Sequence, residues 1–208
     1  PVYSVNVQAH DLTKHQSKPI LGDAKVSLQL LKALSTNYKV SSGYISKYTV
    51  AKEKWLKDLE KITAPSLMNS LPSDSQVIGA VNRSVPENTI VIGAAGSMPG
   101  ELHKLWKVLD QNTYHMEYGY SCMGYEISAG IGVNLATPNR PNVVFSGDGS
   151  YLMMNSELAT AAMMGISMTL ILTNNKGYGC INRLQKATGG AAFNNLFSDS
   201  KFDKQIEL

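Results

Sequence analysis

Two apolar runs set the pattern of this chain. Asn142-Val143-Val144-Phe145 leads into Ser146-Gly147-Asp148-Gly149-Ser150, and Met168-Thr169-Leu170-Ile171-Leu172 leads into Asn174-Asn175. Each run has the length and composition of a strand buried on both faces. Residues 152–164 between them carry helical spacing. The segment therefore predicts a strand–helix–strand crossover of the length that parallel neighbours need. A helix starting near Tyr151 would aim N–H groups at the end of the first strand.

Upstream, residues 89–92 read as another buried strand, ending at Gly93-Ala94-Ala95-Gly96-Ser97, and residues 114–118 as a weaker one. Helices are predicted over 76–84, over 101–109 with Leu102, Leu105, Trp106 and Leu109 inward, and over the Gly/Ala-rich stretch 125–135. Strands alternating with helices predict an α/β fold, a doubly wound parallel sheet, across residues 75–208. Residues 1–40 hold an extended run at 3–7, a polar loop, and a helix near 26–35 with Val26, Leu30, Leu31 and Leu34 on one face. Residues 41–74 read as a linker with a charged helix that carries Trp55, Leu56, Leu59 and Ile62 on one side. The Ser/Asn/Pro cluster after Ala64-Pro65 closes that linker.

Composition narrows the function classes. At 208 residues, 43% hydrophobic and 17% charged, the chain has room for one large domain and part of another. A formal charge of +3 with dispersed basic residues gives no nucleic-acid footprint. The Lys/Glu-rich stretch from Lys52 to Lys61 alternates in sign, as a solvated helix face does. No apolar run reaches the ~20 residues of a membrane span, and the N-terminus has no signal-peptide pattern. Cys122 and Cys180 lack metal-ligand spacing, and cytoplasm is the expected compartment. The chain starts in a strand-like run at Pro1-Val2-Tyr3 and stops at Leu208 without a closing element, so it is expected to be a piece of a longer protein.

The candidate chemistry sits at the carboxyl ends of the two central strands, where ligands of open α/β sheets bind. Asp148 offers a carboxylate, Asn175 an amide oxygen, and Gly177 a backbone carbonyl on a tight loop. Three such oxygens, completed by phosphate and water, suit Mg²⁺. Gly147 and Gly149 let the backbone approach a diphosphate closely.

Gly-Asp-Gly, twenty-four residues and then Asn-Asn resembles the signature of thiamine diphosphate-dependent enzymes. The resemblance implies Asp148, Asn175 and Gly177 as Mg²⁺ ligands, with Gly147, Gly149, Ser150 and Tyr178 around the cofactor. Met123, twenty-five residues before Asp148, stands where the family carries an apolar wedge beneath the bent cofactor, and Met fills irregular gaps well. Backbone groups of Ser121 and Met123 would meet the aminopyrimidine. Ser97 is either a phosphate donor or a plain turn serine. Ser150 has the same two readings, its backbone N–H being the stronger donor. Glu157 is expected to be a structural carboxylate, His115 to have no evident partner, and His10, His15 and His103 to lie on the surface.

The rows Cys122-Met123-Gly124-Tyr125-Glu126-Ile127 and Gly177-Tyr178-Gly179-Cys180-Ile181-Asn182 are similar to a branch of the family that hydrolyses a polyhydroxylated cyclic 1,2-dione in inositol breakdown. This implies cleavage of the carbon–carbon bond between two ring carbonyls, with the thiazolium as electron sink. Glu126 is either a group handling the ring or its attacking water, or a helix-start carboxylate. The family's activating glutamate belongs to a separate pyrimidine-binding domain, usually from a partner subunit of a homodimer or homotetramer. No segment here resembles that domain, so this chain alone is expected to be inactive. The competing readings are an acetolactate synthase-like or decarboxylase member, an inactive cofactor-binding module, and a nicotinamide-dependent dehydrogenase. The last lacks a Gly-x-Gly-x-x-Gly after any strand.

Overall fold

The computed structural model describes residues 1–65, 70–193 and 195–197, with the side chain of His15 outside that set. The surface placement expected of His15 and the chain end beyond 197 therefore lie outside the described residues. The chain divides into two compact units, residues 1–55 and 56–208.

In the first unit β1 (Tyr3–Asn6), α1 (Ala9–Leu12), a 3₁₀ turn at Lys14–Gln16, β2 (Lys18–Leu21) and α2 (Ala24–Leu34) follow one another. The two strands are parallel, Tyr3 opposite Lys18 and Asn6 opposite Leu21. β2 was absent from the sequence reading because Pro19 argues against a strand interior, yet an exposed two-stranded pair tolerates it. α2 begins where Asp23, in extended backbone, accepts a hydrogen bond from the Val26 amide at 2.9 Å. Its apolar stripe of Val26, Leu30, Leu31 and Leu34 is exposed. α3 (Ser42–Ile62) carries the division between the units and presents its alternating charges to solvent.

The second unit runs α4 (Asp74–Ser84), β3 (Ile90–Gly93), α5 (Met98–Leu105), β4 (Tyr114–Met116), α6 (Tyr125–Ala136), β5 (Asn142–Gly147), α7 (Asp148–Met154), α8 (Glu157–Met163), β6 (Thr169–Thr173) and α9 (Gly179–Ala187). Its four strands are all parallel in the order β4–β3–β5–β6. The period-two alternation of strand side chains divides the core. Val91, Val143 and Phe145 pack against Ile78 of α4 and Leu102 and Leu105 of α5. Ile90, Ile92 and Val144 face Ala129 and Val133 of α6. Helices on both faces make the sheet doubly wound, as the alternation of elements predicted. A side chain at Gly130 would come within 2.7 Å of Val144 Cγ2, so glycine is what lets α6 lie this close to the strands.

Two helices differ from the sequence reading. α5 occupies 98–105, not 101–109: Pro99 presets its first turn, Trp106 leaves the helix in extended backbone to meet Phe145 edge-on, and Leu109 is exposed. The single helix expected over 152–164 is two. α7 starts at Asp148 directly from β5, and α8 begins at Glu157 after Asn155 and Ser156, whose short polar side chains compete with helical backbone.

The connections place the site. β3 leads to β4 on one side of the sheet, whereas β5 leads to β6 on the other. The carboxyl ends of the adjacent β3 and β5 thus flank the switch point, where open α/β sheets form a crevice. Among the described residues no helix is long and apolar enough to cross a membrane.

Candidate functional site

A cleft of about 200 Å³ opens at this switch point. The loop after β3 supplies Ala95, Gly96 and Ser97 to its wall, and the loop after β4 supplies Ser121 and Met123. Gly147, Gly149 and Ser150 come from the β5–α7 corner, and Thr173, Asn175 and Tyr178 from the end of β6 and beyond. Segments that follow four strands thus converge on this crevice.

The β5–α7 corner is tight because no loop separates strand from helix. Asp148 is the first residue of α7 and only 1% exposed. Its Oδ1 accepts the Gly149 amide at 2.9 Å and its Oδ2 the Gly177 amide at 2.9 Å, so one carboxylate joins both halves of the motif. A methyl group on Gly149 would lie 2.6 Å from the Tyr178 ring and 3.4 Å from Met123 Cε. Glycine here lets the wedge candidate and Tyr178 close on the corner. At Gly177, φ is +153° and a Cβ would lie 2.1 Å from the Asn195 carbonyl oxygen. That carbonyl accepts the Tyr178 amide at 2.9 Å, and the Phe197 amide donates to Lys176 at 2.8 Å. The segment 195–197 thereby backs the loop that carries Asn175 and Gly177.

The donor set fits a hard divalent cation. Asp148 is a buried carboxylate that forms no ion pair among the described residues. The Asn175 amide makes no hydrogen bond among them, and the Gly177 carbonyl accepts only the Gly179 amide, at 2.9 Å, with a lone pair to spare. One carboxylate, one amide oxygen and one carbonyl oxygen suit Mg²⁺. Among the described residues no group of three His, Cys, Asp or Glu side chains stands together. Asp148 and Gly177 lie behind the cleft wall, whereas Asn175 is on it.

The loop that presents Met123 is held by Glu117. Its Oε1 accepts the Tyr120 amide at 2.8 Å and its Oε2 the Cys122 amide at 2.7 Å. These bonds, the one from Tyr120 first, hold its carboxyl below the usual range. Ser121 between them takes φ of +54°, and Gly124 ends the loop at φ +89° as the N-cap of α6. A Cβ on Gly124 would meet Met154 Cγ at 2.7 Å.

Glu126 sits in the first turn of α6, 1% exposed and off the cleft wall. Its Oε2 accepts the Gly124 amide at 2.9 Å, and its Oε1 faces the Ala95 amide at 3.5 Å. Ser150 beside it favours the charged form. Burial pushes its carboxyl up, and these hydrogen bonds offset part of that rise.

Ser97 lines the cleft and its hydroxyl caps no helix, so it stays available as a donor. The Ser150 amide, in the first turn of α7, is a donor without an intrahelical partner. His115 has a partner after all: its Nε2 lies 2.7 Å from the Tyr125 hydroxyl, away from the cleft. His103 meets the Tyr114 hydroxyl at 2.5 Å on the exposed face of α5. Sequence reasoning missed Asp74, which lines the cleft from the start of α4. Burial, then the nearby Glu101 carboxylate, push its carboxyl up, while Arg183 opposes them. The Ser73–Gln76 capping box marks that helix start in the sequence, but nothing local points Asp74 at the cleft.

Residues 94–206 match the family model described as "Thiamine pyrophosphate enzyme, C-terminal TPP binding domain". The chain is similar to proteins named 3D-(3,5/4)-trihydroxycyclohexane-1,2-dione hydrolase. The one from Geobacillus thermodenitrificans is 36% identical over 92% of this chain and 33% of its own length. That from Clostridium tetani is 37% identical over 91% and 33%, and that from Bacillus subtilis 34% identical over 91% and 33%. The chain spans about a third of the length of these relatives.

Proposed function

This chain belongs to the thiamine pyrophosphate enzymes through their C-terminal cofactor-binding domain, and from that premise we propose that the full-length protein is a thiamine diphosphate- and Mg²⁺-dependent hydrolase of trihydroxycyclohexane-1,2-dione. The observation that carries the reading is Asp148, which joins the Gly-Asp-Gly corner to the Asn-Asn loop beneath a cleft faced by Met123. The names of the relatives supply the substrate. Ring opening between the two carbonyls would give 5-deoxyglucuronate, in the cytoplasm, as part of inositol breakdown.

When bound, the cofactor supplies an electron sink at its thiazolium. Asp148, Asn175 and the Gly177 carbonyl would hold Mg²⁺. The Ser150 amide and the Ser97 hydroxyl would donate to phosphate oxygens, with Gly147, Gly149 and Tyr178 shaping the corner around them. Backbone groups of Ser121 and Met123 would orient the aminopyrimidine, and the Met123 side chain would keep the cofactor bent by its shape. Met98 and Ile181 on the same wall would give the reacting carbons an apolar surround. We place the activating glutamate in a pyrimidine-binding domain outside this chain, contributed within a homodimer or homotetramer.

The test is the full-length protein loaded with thiamine diphosphate and Mg²⁺, given the cyclic dione in one arm and pyruvate in the other. Dione consumption with release of a carboxylic acid is the expected result. Turnover of pyruvate alone would make the protein an acetolactate synthase-like or decarboxylase member. Binding of the cofactor without turnover of either would make it an inactive module.

A further inference from the structure

We infer that Glu126 is a positioning residue that fixes two cofactor-facing loops against each other, an inference that rests on the cofactor reading above. Its two hydrogen-bond partners come from different places. Ala95 follows β3 and Gly124 follows β4, while Ser150, in the first turn of α7, lies beside its carboxyl. Each is beside a group that the cofactor would meet. Ala95 lines the cleft two residues before Ser97, Gly124 directly follows Met123, and Ser150 lies on the wall two residues after Asp148.

A carboxylate serving only its helix would stay in solvent and answer the free amides of its own first turn. Glu126 instead is 1% exposed, and one of its two partners, Ala95, lies outside α6 and its cap, 31 residues away in sequence. It forms no ion pair among the described residues. A buried carboxylate without a cation is unfavourable unless hydrogen bonds replace its water. Here they do, and the donors are parts of the cleft wall. Glu126 is absent from that wall itself, so it acts through the loops and does not touch the reacting atoms.

Glu126→Gln tests this because it keeps the volume and replaces one acceptor oxygen with an NH₂ donor. Both partners are backbone amides, which only donate, one to each oxygen, so one of the two loops must come loose. In the full-length protein, calorimetry with excess Mg²⁺ should show thiamine diphosphate binding weakened by about 10- to 100-fold, the range seen when an outer-shell partner is lost. An unchanged cofactor Kd with a lower Tm would make Glu126 a fold residue and overturn the inference. An unchanged Kd with lost kcat would make it a catalytic group, and overturn it equally. Should the Gln variant fail to fold, Glu126→Asp keeps the charge but shortens the reach to Ala95, and its Kd is read against the same outcomes. Wild-type protein that bound no cofactor would remove the proposed function and this inference together; wild-type binding with unaltered variants would remove the inference alone.

Discussion

Arg140 and Glu126 hold β3 and β4 from opposite ends. At the amino end of the sheet the Arg140 guanidinium donates to the Asn88 carbonyl through Nε at 3.1 Å and Nη2 at 2.9 Å. It also reaches Gln111 O at 3.5 Å and the Asp110 carboxylate at 3.7 Å. Those residues precede β3 and β4, and Arg140 itself precedes β5. At the carboxyl end, Glu126 gathers amides from the loops that follow β3 and β4. The signs of the two clamps follow from polarity. Helices that return antiparallel to the strands bring their N–H ends to the carboxyl edge and their carbonyl ends to the amino edge. A cation therefore closes one edge, and anions suit the other: Glu126, Asp148, and by the proposal a diphosphate. Arg140 remains 24% exposed in its side chain. The carboxyl edge is open, with its anionic clamp buried behind the wall.

The contrast breaks most completely at Asp148. Asp148→Ala removes the carboxylate that joins the two motif halves and leaves the Gly149 and Gly177 amides without their acceptor. Calorimetry on the full-length variant should show Mg²⁺-dependent cofactor binding weakened by more than about 100-fold, beyond the loss of an outer-shell partner. Retained affinity would sink the assignment of this corner. Met123 comes next. Met123→Leu, close in volume, should keep most turnover, whereas Met123→Ala should lose about 10²-fold, the scale of a 1 Å misplacement of reacting groups. Equal turnover numbers for the two variants would end the wedge role.

The amino edge should respond in the opposite currency. Arg140→Ala removes hydrogen bonds from a charged, partly solvated group, and should lower unfolding free energy in urea by about 1–2 kcal/mol. Cofactor Kd in the same variant should not move. A shifted Kd with unchanged stability would mean that the two ends of the sheet are not separate in role.

The sequence made the strands and the motif legible for one reason: continuous apolar runs that end abruptly in Gly-Asp-Gly and Asn-Asn leave little freedom in register or direction. The spacing of Met123 from Asp148 was legible too, and the structure sets Met123 Cε beside Gly149. Local helix limits were harder. Pro99 signals the early start of α5, but the apolar run through Leu152 and Met164 hides the break at Asn155 and Ser156. β2 was hidden because its four residues are all exposed and include Pro19. Asp74 and the neighbours of Glu126 were out of reach, since Ala95 and Ser150 lie 31 and 24 residues away in sequence and only the sheet order brings them together. Both readings given to Glu126 from sequence placed it near the start of a helix, which is where it lies. Its burial among three loops is a tertiary fact.

The smallest expected effect sharpens the comparison through pH. Glu126 makes stability depend on pH. Burial first of all raises its folded-state pKa above the ordinary 4.5, so the folded state holds the proton more tightly than the unfolded chain. Its contribution is thus fully present below about 4.5 and is lost as pH rises through the folded value. Glu117 runs the other way: amides of the wedge loop lower its pKa, and its contribution, present above the ordinary value, is lost as pH falls. Urea midpoints of the cofactor-free, Mg²⁺-free protein, measured from pH 4 to pH 8 for wild type and Glu126→Gln, separate these terms. The stability of wild type relative to the variant should decline with rising pH, by about 1.4 kcal/mol for each unit by which the two pKa values of Glu126 differ. A flat wild-type-minus-Gln curve would mean that the hydrogen bonds from Gly124 and Ala95 cancel the burial, leaving a clamp indifferent to pH.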